Sequence, residues 1–227
     1  MLRTKDIAGL LSLTLFLVFS SVSFAQDNTI LLLNGKVLEG EVKSNDGEFL
    51  KYHYKKKKNE FVKTIDLQRV YSFTQEGKET IVYEMDTLMG NIYSQDEMRM
   101  FIYGEQDADK TSKSWPFVVG GFLGGYGISI YDTYSGDDPD TPEDESGFFG
   151  TGPSAMHFVA PFVISIGSGM IKPKIKARHV SDIAFLANEQ YIIGYQKNAR
   201  FKRIMGGGLG ALSGAVAGFV TYLIAKP

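Results

Sequence analysis

The side chains best suited to proton transfer or metal binding near neutral pH are His53, His157 and His179, and their spacing assembles no ligand set. A zinc site needs its ligands at the short intervals that one helix or hairpin presents to a single ion. The chain has no cysteine, which excludes thiol nucleophiles, thiolate metal sites, disulfides and lipid attachment through a cysteine. The run Gly206-Gly207-Gly208-Leu209-Gly210 has the look of a phosphate loop, but it follows a helical pattern and contains no Gly-Lys-Ser/Thr. The lysine and hydroxyl of a phosphate cradle are therefore missing. Seven acidic side chains crowd residues 132–149 without the ordered alternation of a calcium loop. Lys55 to Lys58 beside Tyr52 and Tyr54 have the composition of a stacking, basic patch. They read better as a solvated hairpin tip that discourages edge-to-edge pairing, with an acidic envelope surface as its best partner. No catalytic residue, metal or cofactor is expected, and a net charge of −2 argues against a nucleic-acid partner.

The informative features are architectural. Arg3 and Lys5 precede an apolar run from Ile7 to Phe19 and the small-residue pattern Ser23-Phe24-Ala25, so residues 1–25 read as a secretory signal peptide. The run is shorter than the ~20 residues a bilayer crossing needs.

Residues 26–85 alternate short apolar runs with turn signals. Asn34-Gly35 and Asn45-Asp46-Gly47 mark hairpins, Phe49 and its tyrosine neighbours form an aromatic strand, and Asp66 to Arg69 insert one polar turn before Val70 to Phe73. Five or six short strands in this length predict a small, partly open β-barrel. The order of strands, basic tip and helical turn resembles the SH3-like or Sm-like domains at the front of exported bacterial proteins.

Residues 94–134 begin with Ser94 and Glu97 in capping-box spacing, then Met98, Phe101, Ile102, Glu105 and Ala108 at helical intervals. After Pro116 comes a glycine-rich apolar segment with Gly120 and Gly124, flanked by Gly121 and Gly125. Trp115, Tyr126 and Tyr131 read as interfacial anchors of that segment. Residues 135–155 read as an acidic flexible loop. Residues 156–180 read as an apolar run broken by Pro161 and followed by a basic stretch. Residues 181–227 read as a helix followed by a membrane segment with Gly206, Gly210, Gly214 and Gly218 at every fourth position. Each such glycine costs a helix about 1 kcal/mol relative to alanine. Small residues four apart are what lets helices approach closely in lipid, so the two stripes are predicted to pack on each other or on copies of themselves.

Sliding the chain by 90 residues lays Ile102 on Ile192, Gly104 on Gly194, Gln106 on Gln196, Gly120 on Gly210 and Gly124 on Gly214, which reads as an internal duplication. Two further motifs, Gly104, Asp107 and Ala108, then Tyr191, Gly194, Tyr195, Ala199, Lys202 and Arg203, resemble the paired GxxDA and YxxGYxxxAxxKR patterns of exported envelope proteins of the Bacteroidota type. That resemblance implies a class of protein and no reaction.

The expected fold class is α+β, a small SH3-like barrel followed by an α-helical glycine-rich membrane region. The expected function is that of a non-enzymatic envelope membrane protein whose barrel is an interaction module outside the cytoplasm. Its partners would be the membrane and either copies of itself or another envelope protein. An oligomeric pore component and a soluble periplasmic binding protein are the alternatives. Residues 172–203 carry eight Lys or Arg against Asp182 and Glu189 and belong inside by the positive-inside rule. An odd number of crossings should then precede them: two full spans, near 116–134 and 205–225, with the Pro161 segment not crossing.

Overall fold

The computed structural model describes residues 28–56, 59–135 and 156–225, so the predicted signal peptide, part of the lysine tip and nearly all of the acidic loop lie outside the described residues. The fold is mixed α+β and divides into two compact units, one of residues up to Leu32 with Val37–Tyr83, the other of Leu33–Lys36 with Glu84–Pro227.

The first unit has seven strands: β1 (Thr29–Leu32), β2 (Val37–Glu39), β3 (Glu41–Asn45), β4 (Phe49–Lys56), β5 (Asn59–Asp66), β6 (Val70–Gln75) and β7 (Lys78–Ile81). They pair into two antiparallel sheets, β2-β1-β6-β7 and β3-β4-β5. Turn chemistry sets the hairpins. Gly47 takes φ of 92° while Asp46 Oδ1 accepts from Glu48 N at 3.1 Å and Phe49 N at 2.6 Å. Asp66 Oδ1 likewise accepts from Gln68 N at 2.9 Å and starts the 3-10 turn Leu67–Arg69.

Gly40 is where the chain passes from one sheet to the other. Its N–H donates to Asn28 O at 2.9 Å, and a Cβ there would sit 2.5 Å from His53 O and 2.7 Å from Tyr52 Cδ2. Only glycine allows this bend. One core joins both sheets, with Ile30, Leu32 and Val70 from the first and Val42, Leu50 and Tyr52 from the second. The sheets do not close into the barrel expected from the sequence. Strand β5 exposes Phe61 and Val62 and turns little beyond Ile65 toward the core, and β7 is exposed along its length. Neither offers the apolar face that closure would bury.

The second unit contains α1 (Gln95–Thr111), α2 (Trp115–Ser135), α3 (Met156–Met170) and α4 (Glu189–Ala225), with 3-10 turns at Ala177–His179 and Ile183–Ala187. The capping box forms as its spacing predicts: Ser94 N donates to Glu97 Oε2 at 2.8 Å and Ser94 Oγ accepts from Glu97 N at 3.4 Å. Helices α1 and α2 lie one after the other along α4 and parallel to it, since Glu105, Asp109, Ser114, Val118 and Phe122 meet Asn198, Lys202, Gly206, Gly210 and Gly214 in ascending order. The Pro161 segment is a helix, α3, with Pro161 buried inside it. It runs antiparallel to α4: Ser168 meets Arg203, Ser165 meets Ile204, and His157 meets Phe219. Helix α3 therefore runs back alongside the parallel pair α2 and α4.

Replacing Gly40 with valine is expected to destabilise the β unit by about 1–3 kcal/mol, because the added side chain meets backbone that cannot move aside. Urea melts of the full chain followed by far-UV circular dichroism measure it.

Candidate functional site

The residues of the two motifs lie along the α1–α4 contact, except Arg203, which sits just beyond it against α2 and the end of α3. Gly104 and Gly194 stand at the crossing itself: a Cβ on Gly104 would overlap Tyr191 O, and one on Gly194 would overlap Phe101 O. Each glycine meets the carbonyl three residues before its counterpart, the signature of a local two-fold relation with an offset of 90 residues. Further along, Gly121 meets Gly207 O, Gly210 meets Val118 O, Gly125 meets Ala211 O and Gly214 meets Phe122 O. The same reciprocal rule holds, but Gly121 is now the counterpart of Gly210 and Gly125 that of Gly214, an offset of 89.

The slip has a local cause. The α4 helix runs through Lys202–Gly206 unbroken, whereas α1 ends at Thr111 and α2 begins at Trp115, so the non-helical Ser112–Ser114 detour takes one residue more. Pro116, which lacks an N–H and disfavours helical geometry just before it, holds the break in place. As a result Gly120 faces open space, and Gly124 meets the Ile164 side chain of α3 at 3.1 Å. The stripe on α2 that faces α4 is Gly121, Gly125 and Ser129, one residue on from the Gly120 and Gly124 expected. Ser129 Oγ donates to Ala215 O at 3.2 Å, and the α4 residue opposite it is Gly218. Gly206 packs on Ser114 O at 2.9 Å for an added Cβ.

Asp107 anchors the polar part of the crossing. Its Oδ1 accepts from Ser181 Oγ at 2.5 Å, and its Oδ2 accepts from Ser181 N and Tyr191 Oη, both at 2.7 Å. Burial alone pushes this carboxyl up, but the hydrogen bonds from Ser181 and Tyr191 outweigh it and hold Asp107 below the ordinary carboxylate range. Tyr191 is raised, first by burial and then by its bond to the Asp107 carboxylate, so the pair is an ionised acid with a neutral phenol. Ala108, Tyr195 and Ala199 pack together, with Ile175 against them, and Tyr195 Oη lies 3.0 Å from Thr111 Oγ1. Lys202 Nζ donates to Asp109 O and lies 2.7 Å from Asp109 Oδ1. Arg203 donates from Nη1 to Ile171 O at 2.7 Å and stacks over Phe117 at 5.0 Å. These contacts align helices; none presents an activated nucleophile or a paired acid and base.

Two polar contacts were not singled out from the sequence. Glu105 is buried on the apolar face of α1, where its Oε1 meets Lys197 Nζ at 3.0 Å and its Oε2 has no hydrogen-bond partner. Burial pushes its carboxyl up, against the pull of Lys197. The signal was a carboxylate at an apolar helical position. His157 is nearly buried with Nδ1 2.9 Å from Asp132 Oδ2, too poorly aligned for a hydrogen bond. Tyr126 is no terminal anchor: it stacks on Phe122 at 6.1 Å within α2 and places Oη 3.5 Å from Thr221 Oγ1, while Trp115 and Tyr131 are exposed. No group of three or more potential ligands for a metal occurs among the described residues. Comparison with protein-family models, curated proteins and solved structures finds no match for the chain.

Gly121→Ile is expected to part α2 from α4 and lower the apparent melting temperature in detergent by about 5–10 °C, whereas Gly120→Ile leaves it within about 2 °C. Equal effects would refute the offset of 89. Tyr191→Phe is expected to cost about 1–3 kcal/mol by removing one donor to a buried charge. An Asp with a lowered folded pKa adds stability that is present above its unfolded value and lost as pH falls through the folded one. Acidification below about pH 4 should therefore weaken the wild-type crossing, and Asp107→Asn should flatten that part of the pH profile, measured by melts at a series of pH values.

Proposed function

We propose that the chain is a non-enzymatic membrane protein of the cell envelope, in which α2, α3 and the second half of α4 enter the bilayer as one packed group and the β unit recruits another envelope component. The observation that carries this reading is the inverted distribution of side-chain size around those helices. Glycine, alanine and serine fill the contacts, with Ser165 Oγ donating to Ile204 O at 2.9 Å and Ser168 Oγ to Arg203 O at 3.1 Å. The large apolar side chains point away: Phe158 is 70% exposed, Phe162 69%, Val216 63% and Ile224 81%. In water this belt would be an aggregation site. In lipid, where tails solvate leucine as well as another helix does, association depends on close packing of small residues and on interhelical hydrogen bonds.

Length and composition agree. Among the described residues, α4 is the one helix long and apolar enough to cross a membrane, and only 39% of its apolar window is buried, where the core helix of a soluble protein is mostly covered. The 15 residues of α3 fall short of a full crossing. The glycine contacts are satisfied within one chain, so self-association through the stripes is not required. The motif resemblance to exported Bacteroidota envelope proteins supports the envelope and the periplasmic side for the β unit. An enzymatic role has no support from the site, whose buried polar groups are engaged in holding helices together.

Sodium carbonate extraction of a membrane fraction is expected to leave the full chain in the pellet. Its recovery as a detergent-free soluble monomer would overturn the proposal. Because the native chain has no cysteine, Lys113→Cys gives a single label site. A membrane-impermeant maleimide is expected to modify it from the periplasmic side of intact cells.

A further inference from the structure

Between the start of α2 and the middle of α4 lies a cleft of about 350 Å³. Its cations come from four segments: Lys113 before α2, Lys174 after α3, Arg178 on the 3-10 turn, where the neutral imidazole of His179 adds a further donor, and Arg203 on α4. Thr111, Ser112 and Tyr195 add hydroxyls, and no carboxylate lines it. Among the described residues, Lys113, Lys174 and Arg178 make no ion pair with an acid. The β unit offers a contrast: its cleft of about 420 Å³ also holds lysines, but Lys43 pairs with Glu41 at 2.6 Å and Lys55 with Glu60 at 3.1 Å. His179 reports the same uncompensated field, lowered first by burial and then by Arg178 and Lys176.

The cleft is shaped as well as charged. Arg203 is held by its bond to Ile171 O and its stack on Phe117, which leaves other guanidinium donors available. The Thr111–Tyr195 hydroxyl pair stands beside it. Converging guanidinium, ammonium and hydroxyl donors match a phosphate group, whose oxygens accept several charge-assisted hydrogen bonds at once. The height is informative too. Arg203 immediately precedes Ile204 and Met205 and the charge-free run 206–225, so the cleft lies where the polar part of the chain meets its apolar part.

We propose that this cleft binds a phosphate-bearing anion, and that in the membrane the anion is the headgroup of an acidic phospholipid. The anion site stands on the cleft alone; the lipid source rests on the membrane reading above. An acidic headgroup bound there fixes the depth of α2 and α4 and neutralises charges that otherwise repel one another across the cleft.

The test uses the full chain in non-ionic detergent, titrated with inorganic phosphate, phosphatidylglycerol or phosphatidylcholine, and read by the fluorescence of Trp115, the sole tryptophan, and by native mass spectrometry. Phosphatidylglycerol is expected to bind at least about tenfold tighter than phosphatidylcholine and to be displaced by phosphate. The double variant Lys174→Ala/Arg178→Ala should weaken both anions by at least about tenfold, while Lys51→Ala/Lys78→Ala, which removes the same charge from the β unit, changes neither. Equal loss with the two double variants, or no binding of either anion, overturns the site. Variant-sensitive phosphate binding without preference for phosphatidylglycerol overturns the lipid source alone. A carbonate-soluble chain that binds phosphate in this way removes the membrane reading and leaves the anion site standing.

Discussion

Backbone-to-backbone contact along α4 is the constraint on which the helical unit depends. At Gly104, Gly121, Gly125, Gly194, Gly210 and Gly214 an added Cβ would overlap a carbonyl oxygen of the facing helix. Such contact forgoes the dispersion and burial that larger side chains would contribute, and each glycine weakens its own helix. What it gains is a fixed axial position. With no side chain between the axes, a shift of one residue drives a Cβ or a larger group into backbone, so parallel helices in this arrangement have one register. The polar contacts follow from it, because Asp107 reaches Tyr191 and Asn198 reaches the Glu105 carbonyl only in that register.

Burial acts on both acids of α1, and their partners decide the outcome. Asp107 and Glu105 are 4% exposed and two residues apart, and their carboxyls shift in opposite directions. Three donors converge on Asp107, whereas Glu105 has one ammonium on one oxygen and nothing on the other. Hydrogen bonds to the charged form overcome desolvation in the first case and a single half-exposed ion pair does not in the second. A charged, well-satisfied Asp107 therefore ties the Ser181 segment to α1, while Glu105 is the strained member of the crossing.

Local chemistry was legible in the sequence and relative position was not. The hairpin turns, the Ser94–Glu97 cap and the turn at Asp66 depend on interactions within four residues, and each forms as read. The duplication was visible at Gly104 and Gly194, yet a comparison that holds one offset cannot register a detour, and Ser112–Ser114 displaced the second half by one residue. That error moved the stripe from Gly120 to Gly121. The Pro161 run appeared interrupted because proline is costly inside an isolated helix, but neighbours in a packed group re-satisfy what it breaks. The partly open barrel read from the strand count becomes two unclosed sheets for a related reason: alternation along β5 says which way side chains point, and says nothing of whether another sheet is there to receive them.

The parallel course of α2 and α4 also orders the charge of the helical unit. Lys110, Lys113, Lys172–Arg178 and Arg200–Arg203 gather where α2 and the apolar half of α4 begin, and Asp132 marks the opposite end, where the acidic run of the sequence starts. Because α2 and α4 run parallel, their basic beginnings lie together at one end of the helical unit. Four converging cations, Lys113, Lys174, Arg178 and Arg203, line the cleft at that end with no carboxylate among the residues that line it. On the proposal above, the charge pattern read as a topology signal is also one side of an anion site.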